Sequence, residues 1–219
     1  MMKFNEKYNR EDFIYFLRDF LPEDFLEEEK DIILEKDKFN KITNVKELGF
    51  CKSLDLSILE IDHNSEADPR VTIATEAFKV LAQWWVHKAL IIFKNKDSEN
   101  YRFSYLTISL DLNDKNKAIK KYSNARRYSF YLGPGAKTKT PELQLIKKDR
   151  IKDTNDLFSR FSLEVVNKQF YLEVAKYFDE LVSDEARNFS LPSQVNVTVR
   201  KSFAVRLIGR IMFCWFLKQ

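Results

Sequence analysis

The segment SLDLSILEIDHNSEADPRVTIATEAFKVLAQ, Ser53 to Gln83, constrains the fold more than any other part of the chain. It begins with the alternating apolar pattern of a strand and stops on three ionisable residues, Glu60, Asp62 and His63. It then turns through 64–69 and takes up helical periodicity from Thr72. Shortly afterwards Ala89 to Phe93, ALIIF, is a wholly apolar run of the kind found at the centre of a sheet. Strand, helix and second buried strand in this order predict an α/β sandwich with a mixed sheet, the helix crossing between strands.

The flanking segments extend this plan. Asn9 to Leu21 predicts a helix capped by Asn9, with Phe13, Phe16, Leu17 and Phe20 on one face. Pro22 ends it, and an acidic segment follows. Lys41–Phe50 and Leu54–Asp62 read as a pair of strands, Tyr101–Leu112 as a further one, and RRYSFYLGPGAKTKTP as a strand running into a Gly/Pro loop. The helix from Thr72 is expected to turn Ala74, Phe78, Leu81 and Ala82 inward. Helices are expected in the second half of 155–182 and over Val199–Gln219. In the latter, Ile211 to Leu217 is apolar throughout, which is too short for a membrane span and predicts burial on several sides. The organisation expected is a helical, acidic segment (1–40), an α/β core with a basic hairpin (41–150) and a helical segment (151–219) that leads onward into a longer protein.

Composition narrows the function. Only four glycines are present, with no GxGxxG or Walker-type run, so neither an ATP site nor a methyl-donor site of that kind is expected. Two widely separated cysteines and the lack of an apolar leader after Lys3 fit a cytoplasmic protein without a zinc site. The net charge of +4 hides a strong asymmetry: residues 1–40 hold 12 acids against 7 bases, and residues 113–153 hold 12 bases against 4 acids. A local excess of this size is the footprint expected for a polyanion. Lys115, Lys117, Lys120, Lys121, Arg126 and Arg127 would line a hairpin, with Lys137 and Lys139 in the GPGAKTKTP loop. Such cations make sequence-independent phosphate contacts.

The abrupt end of the Leu54–Asp62 strand supplies the chemistry. In a regular strand Leu54, Leu56, Ile58, Glu60 and Asp62 share one face, so the two carboxylates extend an apolar face beyond its edge. They stand about 6.6 to 7 Å apart at the backbone. From there both can converge on one divalent cation. Asp55 faces the other way unless a bulge or preceding turn redirects it.

The stretches LSILEIDHNSEADPRVTIATEAFKVL, ALIIF and RFSYLTISL resemble the nuclease-type domain at the front of type IIG restriction–modification enzymes. So do SNARRYSFYLGPGAKTKTP, residues 151–178 and Lys201–Lys218, and together these span roughly Val45 to Gln219. The resemblance implies a restriction-endonuclease-like fold of the PD-(D/E)XK superfamily, acting on double-stranded DNA with Mg²⁺ or Mn²⁺. It also implies partner methyltransferase and recognition domains further along a longer protein, where S-adenosylmethionine would bind. Glu60 matches the motif glutamate, but Asp62 stands where the motif lysine belongs. Three substitutes remain open: Lys79 reaching back from the following helix, His63 as base, or Asp62 as a second metal ligand. Asp55 or Glu47 would supply the leading acid, and Arg70 would hold a phosphate or a carboxylate. The competing expectation is a non-catalytic DNA-contacting or scaffold domain, in which Glu60 and Asp62 diverge or pair with arginines.

Overall fold

The computed structural model describes residues 2–35, 38–65, 72–112, 118–123, 128–183 and 196–218. They form two compact units, 1–163 and 164–219. The first is a mixed seven-stranded sheet with helices. Its strands are β1 (Phe25–Ile32), β2 (Ile42–Cys51), β3 (Leu56–His63), β4 (Lys88–Asn95), β5 (Tyr101–Leu112), β6 (Ala118–Tyr122) and β7 (Ser129–Leu132). The strands pair in the order β1-β2-β3-β4-β5-β6, and β7 pairs with β5 as well. Among the described strands only β3 and β4 run parallel. The helix between them, α2 (Thr72–Gln83), is therefore the crossover that the sequence predicts.

Each face of the sheet carries its own core. Leu56, Ile58, Leu90, Ile92 and Phe103 pack with α1 (Arg10–Phe20) and α4 (Thr154–Phe161). Leu59, Ile61, Ile91 and Phe93 pack on the opposite face with Ile73, Ala77, Val80 and Leu81 of α2. Of the four positions expected inward on α2, Ala74 and Leu81 are buried, whereas Phe78 and Ala82 are only partly so. The α1 helix begins at Asn9, whose side chain accepts from the Asp12 backbone N–H at 3.2 Å. Its Phe13, Phe16, Leu17 and Phe20 are buried as their spacing requires.

The acidic segment after Pro22 is a strand, which its composition conceals. β1 lies at the edge of the sheet, and six of its eight residues are exposed. Charged side chains on an edge discourage pairing with another chain, so here the acids mark an edge and not a loop. β3 also begins later than its apolar pattern suggests: Leu54 and Asp55 belong to the turn before it.

The chain between β1 and β2 is tied down by a buried acid. Glu76 of α2 is 8% exposed and accepts the backbone N–H groups of Asn40, Lys41 and Ile42 at 3.0–3.2 Å. Glu76→Ala strands three donors and should cost about 2–3 kcal/mol. Urea denaturation checks this; an unchanged midpoint would mean that water satisfies those donors in the variant.

A three-residue helix, α3 (Lys139–Pro141), runs into a π-helical segment, Glu142–Ile146. In the second unit α5 (Leu163–Val182) and α6 (Val197–Leu217) are joined by Arg200 Nη1, which donates to the Val182 carbonyl at 3.3 Å. Ile211, Phe213, Trp215 and Leu217 of α6 are exposed, contrary to the burial their apolar run predicts. An apolar run records which residues avoid water, not which surface covers them. No helix among the described residues is long and apolar enough to cross a membrane.

Candidate functional site

β3 carries Leu56, Ile58, Glu60 and Asp62 toward the α1 side of the sheet, as strand alternation requires. Glu60 is 2% exposed, so it continues the core and does not emerge from it. An unpaired carboxylate at that depth would be strongly unfavourable, and three neighbours pair it. Tyr8 donates its hydroxyl to Glu60 Oε2 at 2.6 Å. Arg10, the first residue of α1, donates from Nε to Oε2 at 3.0 Å and from Nη2 to Oε1 at 2.6 Å. This is a bidentate fork of the kind arginine makes with carboxylates. Lys94 Nζ lies 2.9 Å from Oε1.

Lys94 also lies 3.2 Å from Asp62 Oδ1, so one ammonium bridges both carboxylates. Parallel pairing explains the position: Glu60 lies beside Ile92 and Asp62 beside Lys94. Asn44 on β2, the partner of Asp62 on the other side, donates to its Oδ2 at 3.4 Å. Arg10 further lies 3.6 Å from Glu29, and Lys46 lies 3.3 Å from Glu29 and 3.2 Å from Asp31, extending the chain of alternating charge to β1.

Burial pushes the Glu60 carboxyl upward, but the hydrogen bonds from Arg10, Tyr8 and Lys94 outweigh it and hold the group at about 2. Burial and then the Glu60 contact push the Tyr8 phenol well above its ordinary value. The Glu60 hydrogen bond raises Arg10. Glu60 is thus an anion and Tyr8 a neutral donor across the physiological range.

The other residues expected at this site lie elsewhere or in segments outside the description. Asp55 stands in the turn before β3, roughly 16 Å along the strand from Glu60. Glu47 pairs with Leu59, next to Glu60 along the ladder, but alternates to the opposite face of the sheet and lines the same cleft as Asp55. His63 alternates to the other face from Asp62 and is 6% exposed; its Nδ1 has no hydrogen-bond partner among the described residues. Burial lowers its pKa. Lys79 is exposed on α2, which packs on the other side of the sheet from Glu60. Arg70, Lys115, Lys117, Arg126 and Arg127 lie outside the described residues.

The basic residues divide between two ends of the sheet. Lys120 and Lys121 are exposed on β6, opposite Leu110 and Ser109, whereas the Tyr101 end of β5 pairs with Lys94. That puts them about 30 Å along β5 from the carboxylate end. β7, by contrast, pairs with Tyr101–Ser104 and delivers the Gly133–Lys139 loop to that end. Gly133 N donates to the Phe4 carbonyl at 2.7 Å, joining this loop to the N-terminal arm that carries Tyr8 and Arg10. At its φ of +112° a Cβ would sit 2.7 Å from Asn100 Cα, so only glycine fits this turn. Lys137 and Lys139, both exposed, are therefore the cations on the carboxylate side.

Sequence reasoning missed Tyr8, Arg10 and Lys94. For Lys94 a signal existed: alternation along ALIIFKN puts it on the face of Leu90 and Ile92, the same reasoning that singles out Glu60. For Tyr8 and Arg10 none existed, because they approach from about 50 residues away.

The donors that a divalent cation could use are two carboxylates, both held by Lys94 in this structure. Glu60 Oε1 and Asp62 Oδ1 already converge on a single positive centre, the Lys94 ammonium. Mg²⁺ commonly uses only one or two protein carboxylates, completing its shell with water and phosphate oxygens. Among the described residues there is no group of three or more His, Cys, Asp or Glu placed to bind a metal, so the protein's share would be these two. The chain matches no protein-family model, no curated protein and no solved structure.

Proposed function

We propose that this chain is a restriction-endonuclease-like domain that hydrolyses DNA phosphodiesters with a divalent metal, within a type II restriction–modification protein. The observation that carries this reading is Lys94, whose Nζ bridges Glu60 and Asp62. A neighbouring parallel strand thus supplies the lysine that the Glu-x-Lys pattern lacks at Asp62. Glu60 and Asp62 would hold Mg²⁺ or Mn²⁺, which when bound lowers the pKa of a water and stabilises the leaving oxygen. Lys94 would offer its ammonium to the attacked phosphate, and the Lys137 loop would contact the backbone beyond it. Arg10 must release Glu60 for this to occur, and its guanidinium then becomes a second phosphate donor.

One observation favours a second reading, a DNA-contacting domain without catalysis. The four hydrogen bonds from Tyr8, Arg10 and Lys94 match the roughly four acceptor sites of a carboxylate. Plasmid nicking in Mg²⁺ or Mn²⁺ separates the two. The wild-type chain should nick, and Glu60→Gln, Asp62→Asn and Lys94→Ala should each lower the rate at least ~100-fold. Calorimetry that shows no Mn²⁺ binding dependent on Glu60 and Asp62, alongside absent nicking, selects the non-catalytic reading.

A further inference from the structure

A cleft of about 300 Å³ lies beside the start of β3, on the α2 side of the sheet and not on the face that carries Glu60. Its walls include Glu47, Asp55, Phe50 and His87 together with two consecutive tryptophans, Trp84 and Trp85. Both indoles face solvent: Trp84 is 46% exposed and Trp85 82%. Large aromatic surface left in water side by side is costly unless something covers it. Asp55 (φ 49°) and Trp85 (φ 56°) are also the only non-glycine residues with left-handed φ among those described, and both line this cleft. For a residue as bulky as tryptophan that conformation is a true outlier, the kind that concentrates where a ligand is held.

The electrostatics select the ligand. Two carboxylates line the cleft, and among the described residues no lysine or arginine does. Two cations border the cleft without lining it: Lys88 Nζ donates to the Leu54 carbonyl at 2.7 Å, and Lys30, opposite Glu47 on the neighbouring strand, pairs with Glu28 at 2.9 Å. Phosphate is repelled by such a lining. A cation is attracted twice over, by the carboxylates and by the faces of the indoles.

We propose that this cleft binds the guanidinium or ammonium side chain of a basic segment on a partner protein. The ion lies against Trp84 and Trp85 and is neutralised by Glu47 and Asp55. The site is separate from the Glu60 cluster and does not rest on its chemistry.

The test uses the full chain labelled with ¹⁵N at its tryptophans, titrated with blocked Gly-Arg-Gly and Gly-Lys-Gly peptides. Blocked Gly-Gln-Gly and adenosine serve as uncharged probes, and Trp215 of α6 as an internal reference. The Arg and Lys peptides should shift the Trp84 and Trp85 indole N–H signals saturably and leave Trp215 unmoved. Glu47→Gln/Asp55→Asn should weaken binding at least tenfold. Trp85→Gly, which relieves the left-handed strain, should raise the melting temperature and still lose affinity. Absence of saturable shifts overturns the proposal, as does equal binding of the Gln peptide or equal affinity in the double variant. Tighter binding of adenosine than of either cationic peptide overturns it in favour of a base-stacking platform.

Discussion

As pH falls from about 4.5 to about 2, the protein should lose about 3 kcal/mol of stability through Glu60 alone. The folded-state value, about 2, lies below the ordinary 4.5, so the folded protein binds the proton more weakly than the unfolded chain. The stabilisation is therefore complete above the ordinary value and drains away as acid approaches the folded one. More than half should be gone by about pH 3. Glu60→Gln removes this contribution. At pH 7 it should cost about 3 kcal/mol relative to wild type, and the difference should shrink toward zero in acid. Urea denaturation of both proteins between pH 7 and pH 3 measures it. A gap independent of pH would mean that the variant loses packing, not charge pairing. The same variant is the central arm of the nicking experiment, and its stability must be matched before lost cleavage is assigned to chemistry.

The second large effect is expected at Phe103. This ring is fully buried at the middle of the α1 face of the sheet. It meets Phe13 at 4.9 Å, Phe161 at 5.2 Å and Phe16 at 6.3 Å, each edge to face. Three elements, β5, α1 and α4, thus converge on one side chain. Phe103→Ala should cost about 3–5 kcal/mol, the loss of a large ring plus the cavity it leaves. The denaturation midpoint should drop with its slope unchanged. A loss under about 1 kcal/mol would mean that α1 and α4 collapse into the space, and that the aromatic cluster is less tightly packed than its ring distances imply.

The division between what sequence and tertiary structure each determine follows from the range of the interactions involved. Local periodicity needs only neighbours along the chain. Hence α1 with its Asn9 cap, the full extent of β5, the β3–α2–β4 crossover and the shared face of Ile58, Glu60 and Asp62 were legible from residue order. β1 was not, because strand formation at an edge is decided by the partner strand that satisfies its backbone, and its side chains read only as acid. The burial of α6 was misjudged for the converse reason, since hydrophobicity is a demand for a partner and not the partner itself. At the site, the sequence by itself determined that two carboxylates end a buried strand. Only the tertiary structure decided their state. Parallel register puts Lys94 beside Asp62, and the N-terminal arm brings Tyr8 and Arg10 onto Glu60, turning a buried charge into a paired one. The contacts of Tyr8 and Arg10 with Glu60 join residues 52 and 50 positions apart, and no pattern along the chain encodes them.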